Sequence, residues 1–274
     1  MSEYVKYKYA SLEDFLNSNP LNVDGILDDG WGGLFPVKGI ELEATILFSD
    51  ISNFSNRTLD LNPIETLIFV NTFFSWITAE SLKNRPGTGI VDKYIGDEIM
   101  IIFSKEFGSE NHFLDALKTA RWMSEHDEHS FRPHIGIASG IIVIGYVGTP
   151  LKYNCSIFGK PVAIASRCAS IKPKGSGSSS VIFPAELWKN FSLDEIFEPI
   201  TYTGSNGKLI KKPHEWHILP KRIEKIKNMP DLEIIEICRM AKFIPQETPE
   251  DRARSSFKLL KKLGFYRKYN RDYL

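Results

Sequence analysis

Two aspartates, each closing an apolar strand at a turn, carry the chemistry that this sequence announces first. One ends Ala44-Thr-Ile-Leu-Phe-Ser-Asp50 and runs on into Ile51-Ser-Asn-Phe54. The other lies in Val91-Asp-Lys93-Tyr-Ile-Gly96-Asp97-Glu-Ile-Met100-Ile-Ile-Phe103. Hard divalent cations take oxygen ligands, and nucleoside-triphosphate sites hold them through one or two carboxylates plus phosphate oxygens. Two aspartates on rigid strands suit a two-metal phosphoryl-transfer centre. The plain alternative is a pair of ordinary turn aspartates, since Asp is common where strands end. The neighbouring elements decide between these readings.

The Asp97 segment reads as a hairpin. Gly89–Tyr94 and Glu98–Phe103 are rich in β-formers, and Gly96-Asp97 is the turn between them. After Asp50 a helix start has three agreeing signals: Asn62 to cap, Pro63 at the first helical position and Glu65 three after the cap. Ile64, Leu67, Ile68, Phe74 and Ile77 extend a helical stripe to about Lys83. A second helix is predicted over 111–126. Then comes His134-Ile-Gly136-Ile-Ala-Ser-Gly140-Ile-Ile-Val-Ile-Gly145-Tyr-Val-Gly148, whose glycines inside a β-rich run predict close backbone approach or bulges. A further strand, Tyr153–Phe158, passes through Gly159 into a helix with Pro161 in its first turn and Arg167 beyond.

On these residues the chain resembles the class III nucleotidyl cyclase catalytic domain over about residues 40–220. The motifs follow one another as F-S-D-I-x-x-F, K-x-x-G-D-x-x-M-x-x-F, H-x-G-x-x-x-G-x-x-x-x-G-x-V-G and G-x-x-V-x-x-A-x-R. One G-D-E turn is a weak signal, whereas four ordered motifs in matching context are specific. A diguanylate cyclase, whose related fold also has a G-D-E turn, fits less well because Ile95 stands where its second glycine belongs.

The resemblance implies a mixed α/β (α+β), ferredoxin-like domain with a mostly antiparallel sheet, working as a head-to-tail homodimer with shared active sites. It implies that Asp50 and Asp97, with the Ile51 carbonyl, hold two Mg²⁺ or Mn²⁺ ions. These would acidify a ribose 3′-hydroxyl and steady the triphosphate. Arg167 from the partner chain would meet charge developing on the α-phosphate. A triphosphate-binding lysine is expected near the last hairpin, at Lys211 or Lys212.

Departures from the family pattern concern the base. Lys93 stands at the lysine position of adenylyl cyclases, but Ser156 replaces their aspartate three before Gly159, and Ala163 replaces a ribose-orienting asparagine. A lysine ammonium only donates hydrogen bonds. Uracil offers O2 and O4 acceptors around N3–H, and Ser156 can accept from N3–H or donate to a carbonyl. Cytosine puts an amine at its 4-position that Lys93 would oppose, and adenine offers an amine for which the accepting aspartate is absent. Phe54 and Phe158 are expected to fill space around a single ring. The chain thus looks like the bacterial uridylate cyclases of Pycsar anti-phage systems, which make cyclic UMP from UTP as an alarm read by a downstream effector. A diverged adenylyl cyclase and a catalytically inactive interaction protein on the same fold are the alternatives.

Composition agrees. The chain has 274 residues, 42% hydrophobic, with a formal net charge of +0. That length buries one sizeable core, and the charge supplies no field toward nucleic acid or membrane. Three cysteines without metal or disulfide spacing, no signal peptide and no membrane-length apolar run predict a cytoplasmic protein. The expected organisation is an N-terminal arm over 1–39, with a short amphipathic piece at Leu12–Leu16, the cyclase domain over 40–220 and a helical extension over 221–274. The arm is too short for a typical sensor domain. Gly175–Ser180 reads as a flexible loop, Val181–Phe183 as a strand and Pro184–Asn190 as a helix. Thr201–Lys212 and Glu215–Leu219 read as a final hairpin, and Thr248-Pro-Glu-Asp251 as a helix start. The basic, amphipathic stretch from Phe257 is expected to dock by its apolar face.

Overall fold

The computed structural model describes residues 8–28, 33–83, 89–125, 127, 130–149, 152–175, 179–189, 191–196, 200–204, 206–212, 215–226, 229–239 and 247–264. Its elements run α1 (Leu12–Ser18), β1 (Val23–Asp28), β2 (Leu34–Asp50), α2 (Phe54–Arg57), α3 (Pro63–Lys83), β3 (Ile90–Ile95), β4 (Glu98–Phe103), α4 (His112–Glu125), β5 (His134–Thr149), β6 (Lys152–Phe158) and α5 (Lys160–Ser170). There follow β7 (Ser179–Pro184), α6 (Leu193–Ile196), β8 (Ile200–Thr203), β9 (Leu209–Lys212), β10 (Trp216–Ile218), β11 (Arg222–Glu224), β12 (Leu232–Arg239) and α7 (Pro249–Lys262).

The main sheet has the order β10-β12-β7-β5-β2-β4-β3, with β1 on β2, β6 on β5 and β11 on β12. Among the described strands only β5 and β7 pair in parallel, so the sheet is mostly antiparallel, as expected. Ala44 through Ser49 are all buried, because β2 lies between β5 and β4 with helices on both faces. Phe69, Phe73 and Ile77 of α3 and Phe113, Leu117 and Met123 of α4 cover Leu47, Ile99, Ile101 and Ile137. Leu12, Phe15 and Leu16 of α1 and Ala165 and Ala169 of α5 cover Ile46, Phe48, Met100 and Ala138 on the other face. The amphipathic piece of the N-terminal arm therefore packs on the core.

Local signals account for several elements. Asn62 Oδ1 accepts from the backbone amides of Ile64 and Glu65, both at 3.0 Å, while Glu65 Oε2 accepts from Asn62 N at 3.0 Å, a reciprocal cap that starts α3. Thr248 caps α7 by accepting from Asp251 N. At Gly136 a Cβ would stand 2.0 Å from the Ala165 carbonyl oxygen and 2.2 Å from Ala169 N. Glycine there lets α5 lie directly on β5.

The C-terminal third departs from expectation. The described residues of 221–239 are not helical: they carry β11 and β12, and β12 enters the main sheet between β7 and β10. Ile234, Ile235, Glu236, Ile237 and Cys238 are all buried. A strand buried on both faces shows no apolar–polar alternation, which hides it from periodicity. Glu236 is satisfied there by the Arg222 Nη1 ion pair at 2.8 Å and by the amides of Lys174 and Gly175. The final hairpin closes within 200–212, as β8 with β9, whereas β10 pairs with β12. The helix expected over 184–190 is a single 3₁₀ turn at Ala185–Leu187. Ser179 and Ser180 belong to β7, and the rest of the glycine–serine loop, 176–178, lies outside the described residues. Of α7, Pro249 and Ala253 are buried and Phe257 is half-buried, whereas Leu259 and Leu260, and Leu263 just after the helix, are exposed. Residues 265–274 of the basic stretch lie outside the described residues. No described helix is long and apolar enough to cross a membrane. Cys155, Cys168 and Cys238 are free thiols.

Candidate active site

Asp50 is the last residue of β2, paired directly with His134 at the start of β5. Asp97 sits in the two-residue turn between β3 and β4, where Gly96 adopts φ +64°. Burial pushes the Asp50 carboxyl up to about 7, and the Asp97 and Glu98 charges add to the rise. The Asp97 carboxyl is also raised by burial, although the Ile51 backbone amide hydrogen-bonds it. Glu98 is raised by burial and by Asp97. His134 Nδ1 lies 3.9 Å from Asp50 Oδ1, but burial lowers the imidazole's pKa, so it does not supply a compensating cation. Among the described residues Asp50 Oδ1 is buried without a hydrogen-bond partner, while the backbone amides of His134 and Asp50 act on the carboxyl to lower its pKa. Three clustered carboxyl groups with an orphaned oxygen are short of positive charge, and a divalent cation fits that need. Asp50 and Asp97 would hold it, with the Ile51 carbonyl, which already accepts from Phe54 N at 3.2 Å and keeps a second lone pair. Among the described residues no group of three or more His, Cys, Asp or Glu side chains forms a metal cage. A centre completed by substrate phosphates needs none.

The second cluster is Lys93 with Ser156. Lys93 Nζ donates to Ser156 Oγ at 3.0 Å, joining β3 to β6 across 63 residues of sequence. Phe158, two residues on from Ser156, is 48% exposed at the end of β6. Phe54 instead stacks on Phe69 of α3, with ring centroids 6.2 Å apart, and so belongs with the Asp50 loop.

Arg167, in the last turn of α5, is exposed and has no ion-pair partner among the described residues. It opens onto a cleft of about 520 Å³ whose lining includes Lys172, Lys174, Glu224 and Lys225 but neither Asp50 nor Asp97. Ala163, one turn before Arg167, is exposed. Lys211 and Lys212 are on β9, opposite Thr201 and Ile200, in a two-stranded sheet apart from the main one. One chain thus gathers Asp50 with Asp97, gathers Lys93 with Ser156, and holds Arg167 in a cleft of its own.

Comparison with known proteins gives this arrangement a family. The model of the adenylate and guanylate cyclase catalytic domain matches residues 39–176, half of the chain. The chain belongs to the class III nucleotidyl cyclase family. An adenylate cyclase of Anabaena cylindrica is 27% identical over 168 residues, covering 56% of this chain and 32% of that protein. The terminal-differentiation-specific adenylate cyclase of Dictyostelium discoideum is 33% identical over 132 residues, covering 45% of this chain and 6% of that protein. The matched region is thus a third or less of these curated relatives' length. Among solved structures, the adenylyl cyclase CyaB of P. aeruginosa aligns at TM-score 0.54 and 17% identity, over 75% of this chain and 98% of that one. The guanylyl cyclase Cya2 aligns at TM-score 0.51 and 18% identity, over 74% and 95%. These structures share the cyclase fold with the chain.

Two acidic residues escaped the sequence reading. Glu98 was visible as the third residue of Gly96-Asp97-Glu98. Asp92 had only its place beside Lys93 as a signal, and its setting depends on sheet register.

Proposed function

We propose that the chain is a uridylate cyclase that converts UTP to 3′,5′-cyclic UMP and pyrophosphate. The observation that carries the base assignment is the 3.0 Å bond from Lys93 Nζ to Ser156 Oγ. It joins an obligate donor to a small hydroxyl where an adenine reader would need an acceptor. Phe158 offers an apolar surface beside them for a pyrimidine ring.

In the reaction the ribose 3′-oxygen forms a bond to the α-phosphorus, the α–β bridging P–O bond breaks, and pyrophosphate leaves with its electron pair. The 3′-hydroxyl proton is lost to solvent. Asp50 and Asp97 would hold Mg²⁺ or Mn²⁺, which would supply the charge that acidifies the 3′-hydroxyl and neutralises the triphosphate. Arg167 donates to the α-phosphate as negative charge grows there. Its separation from Asp50 and Asp97 supports a head-to-tail homodimer, in which one chain's Arg167 serves the partner's carboxylates. Lys211 or Lys212 would bind the terminal phosphates. The product would act as an anti-phage second messenger for a cyclic-nucleotide effector, a role supported by the resemblance to Pycsar cyclases.

A diverged adenylyl cyclase is the competing reading, favoured by the names of the relatives. Incubating the purified chain with equal UTP, CTP, ATP and GTP and Mn²⁺, then identifying the cyclic products, tests the choice. Cyclic UMP as the main product is expected. Dominant cyclic AMP would establish the competitor, and no cyclic product despite metal-dependent triphosphate binding would leave an inactive cyclase-like binding protein.

A further inference from the structure

We propose that Asp92 is a positioning residue for base choice: it holds the Lys93 ammonium beside Ser156, so that the pair presents two donors to a carbonyl oxygen. This deepens the uridylate cyclase reading and rests on it.

Strand register brings Asp92 to this place. Val91 pairs with Ile101 and Lys93 pairs with Met100, so Asp92 is an extra residue, a β-bulge in β3. In a regular hairpin Asp92 would face Met100, and Lys93 would pair with Ile99 on the face covered by α3. The bulge carries Lys93 to the face of Met100 and sets Asp92 beside it. Tyr94 then pairs with Ile99 and packs on Phe74 of α3, so regular alternation resumes directly after Lys93.

Burial follows. The Asp92 side chain is only 6% exposed, against 35% for Lys93, and Asp92 Oδ2 lies 3.1 Å from Lys93 Nζ. Among the described residues that buried oxygen has no hydrogen-bond partner, and the Lys93 ammonium meets it as an ion pair. Exposed ion pairs contribute little because water competes for both partners. Here the carboxylate is withdrawn from water and Lys93 is its compensation. Burial raises the Asp92 carboxyl, Lys93 lowers it, and Asp92 helps push the neighbouring Cys155 thiol up to about 11.

The number of available protons then fixes what the pair can offer. An ammonium has three N–H groups. One goes to Ser156 Oγ, and the ion pair with Asp92 holds the ammonium in place while N–H remains for substrate. Ser156 accepts from Lys93, so its own O–H is free to donate outward. The pair therefore offers two donors about 3 Å apart, matched to a carbonyl oxygen such as uracil O4. A cytosine 4-amino group would set donors against donors and leave polar groups unpaired, which discriminates by roughly ten- to a hundredfold. With Asp92 neutralised, the ammonium is free to leave Ser156, and Ser156 is free to accept from an amine.

The test compares wild type with Asp92→Asn, Asp92→Ala and Asp92→Glu, using equal UTP and CTP with Mn²⁺, and reads the ratio of cyclic UMP to cyclic CMP. The same preference is read by calorimetric binding of 3′-deoxy-UTP and 3′-deoxy-CTP, which lack the attacking hydroxyl, so a slow enzyme still gives an answer. Asp92→Asn and Asp92→Ala should lower the ratio about tenfold, and Asp92→Glu should retain most of it. If Asp92→Asn does not fold, Asp92→Ala carries the comparison. A merely structural role would depress both nucleotides equally, and an unchanged ratio overturns the assignment. Wild-type preference for ATP overturns the uridylate reading instead, and is seen in the wild-type chain alone.

Discussion

The backbone amide of Ile51, the residue that follows Asp50, favours the charged form of the Asp97 carboxyl against its burial. The β3–β4 turn thus lies beside the end of β2, where Asp50 closes the strand. Both carboxyls are raised by burial, Asp50 to about 7. The folded chain therefore stores a local deficit of positive charge at the place where a triphosphate and its cation would arrive.

Asp50→Asn and Asp97→Asn should each lower cyclase turnover by at least about a hundredfold, because each removes a charged oxygen ligand that binds a hard cation. Neither should unfold the chain, since each relieves a carboxylate that burial disfavours. Steady-state rates at fixed Mn²⁺, with circular dichroism as the fold control, check this. Turnover near wild type in either variant is incompatible with the proposed centre.

The metal-free protein should lose stability as pH rises from about 4 to 7. Asp50 has its folded value raised from 3.8 to about 7, so the native state holds a proton that the unfolded chain releases. Its contribution is complete below the unfolded value and disappears as pH climbs through the folded one, by at most about 4 kcal/mol. Thermal melts in chelator at pH 5 and pH 7 should show a smaller difference for Asp50→Asn than for wild type. Added Mn²⁺ should restore the wild-type melting temperature at pH 7 and do less for the variant.

Arg167→Ala should be inactive but folded, since the side chain is exposed and has no ion-pair partner among the described residues. Mixing it with Asp97→Asn should recover part of the activity, because one site of a mixed head-to-tail dimer keeps both groups. Subunit exchange measured by fluorescence transfer must accompany the assay. Exchange without recovery would show that the two residues serve the same site within one chain.

Lys93→Ala should reduce UTP turnover strongly and loosen base choice, whereas Ser156→Ala should weaken UTP and leave Lys93 as the sole reader. Competition among the four triphosphates reads both. A Lys93→Ala chain that still makes only cyclic UMP would move base recognition to other residues.

Gly136→Ala should destabilise the fold by roughly 1–3 kcal/mol or more, as overpacking does. The added methyl would meet the Ala165 carbonyl at 2.0 Å and Ala169 N at 2.2 Å, and backbone does not step aside. Denaturant midpoints check the loss. A neutral result would mean that α5 slides on β5, and Arg167 activity would then have to be measured in that variant.

Much of this protein is legible along the chain because the signals are local. The reciprocal Asn62–Glu65 cap, the Gly96-Asp97 turn, the Thr248 helix start and the glycine that seats α5 each depend on a few adjacent residues or one steric demand. The nucleotidyl cyclase motifs are equally local, so the family resemblance picks out Asp50, Asp97, Lys93, Ser156 and Arg167 as expected site residues. What the tertiary structure decided were matters of pairing. Strand β12 lies hidden in a run with no alternation, because neighbours on both faces bury it. The face that Lys93 occupies turns on one extra residue, since a side-chain period of two makes a single-residue bulge move the next side chain to the opposite face. Asp92 reads in sequence as one more strand-end acid. Only the closed sheet buries its carboxylate, leaves Lys93 as its counter-charge and brings Ser156 within 3.0 Å, because charge compensation is set by what burial excludes.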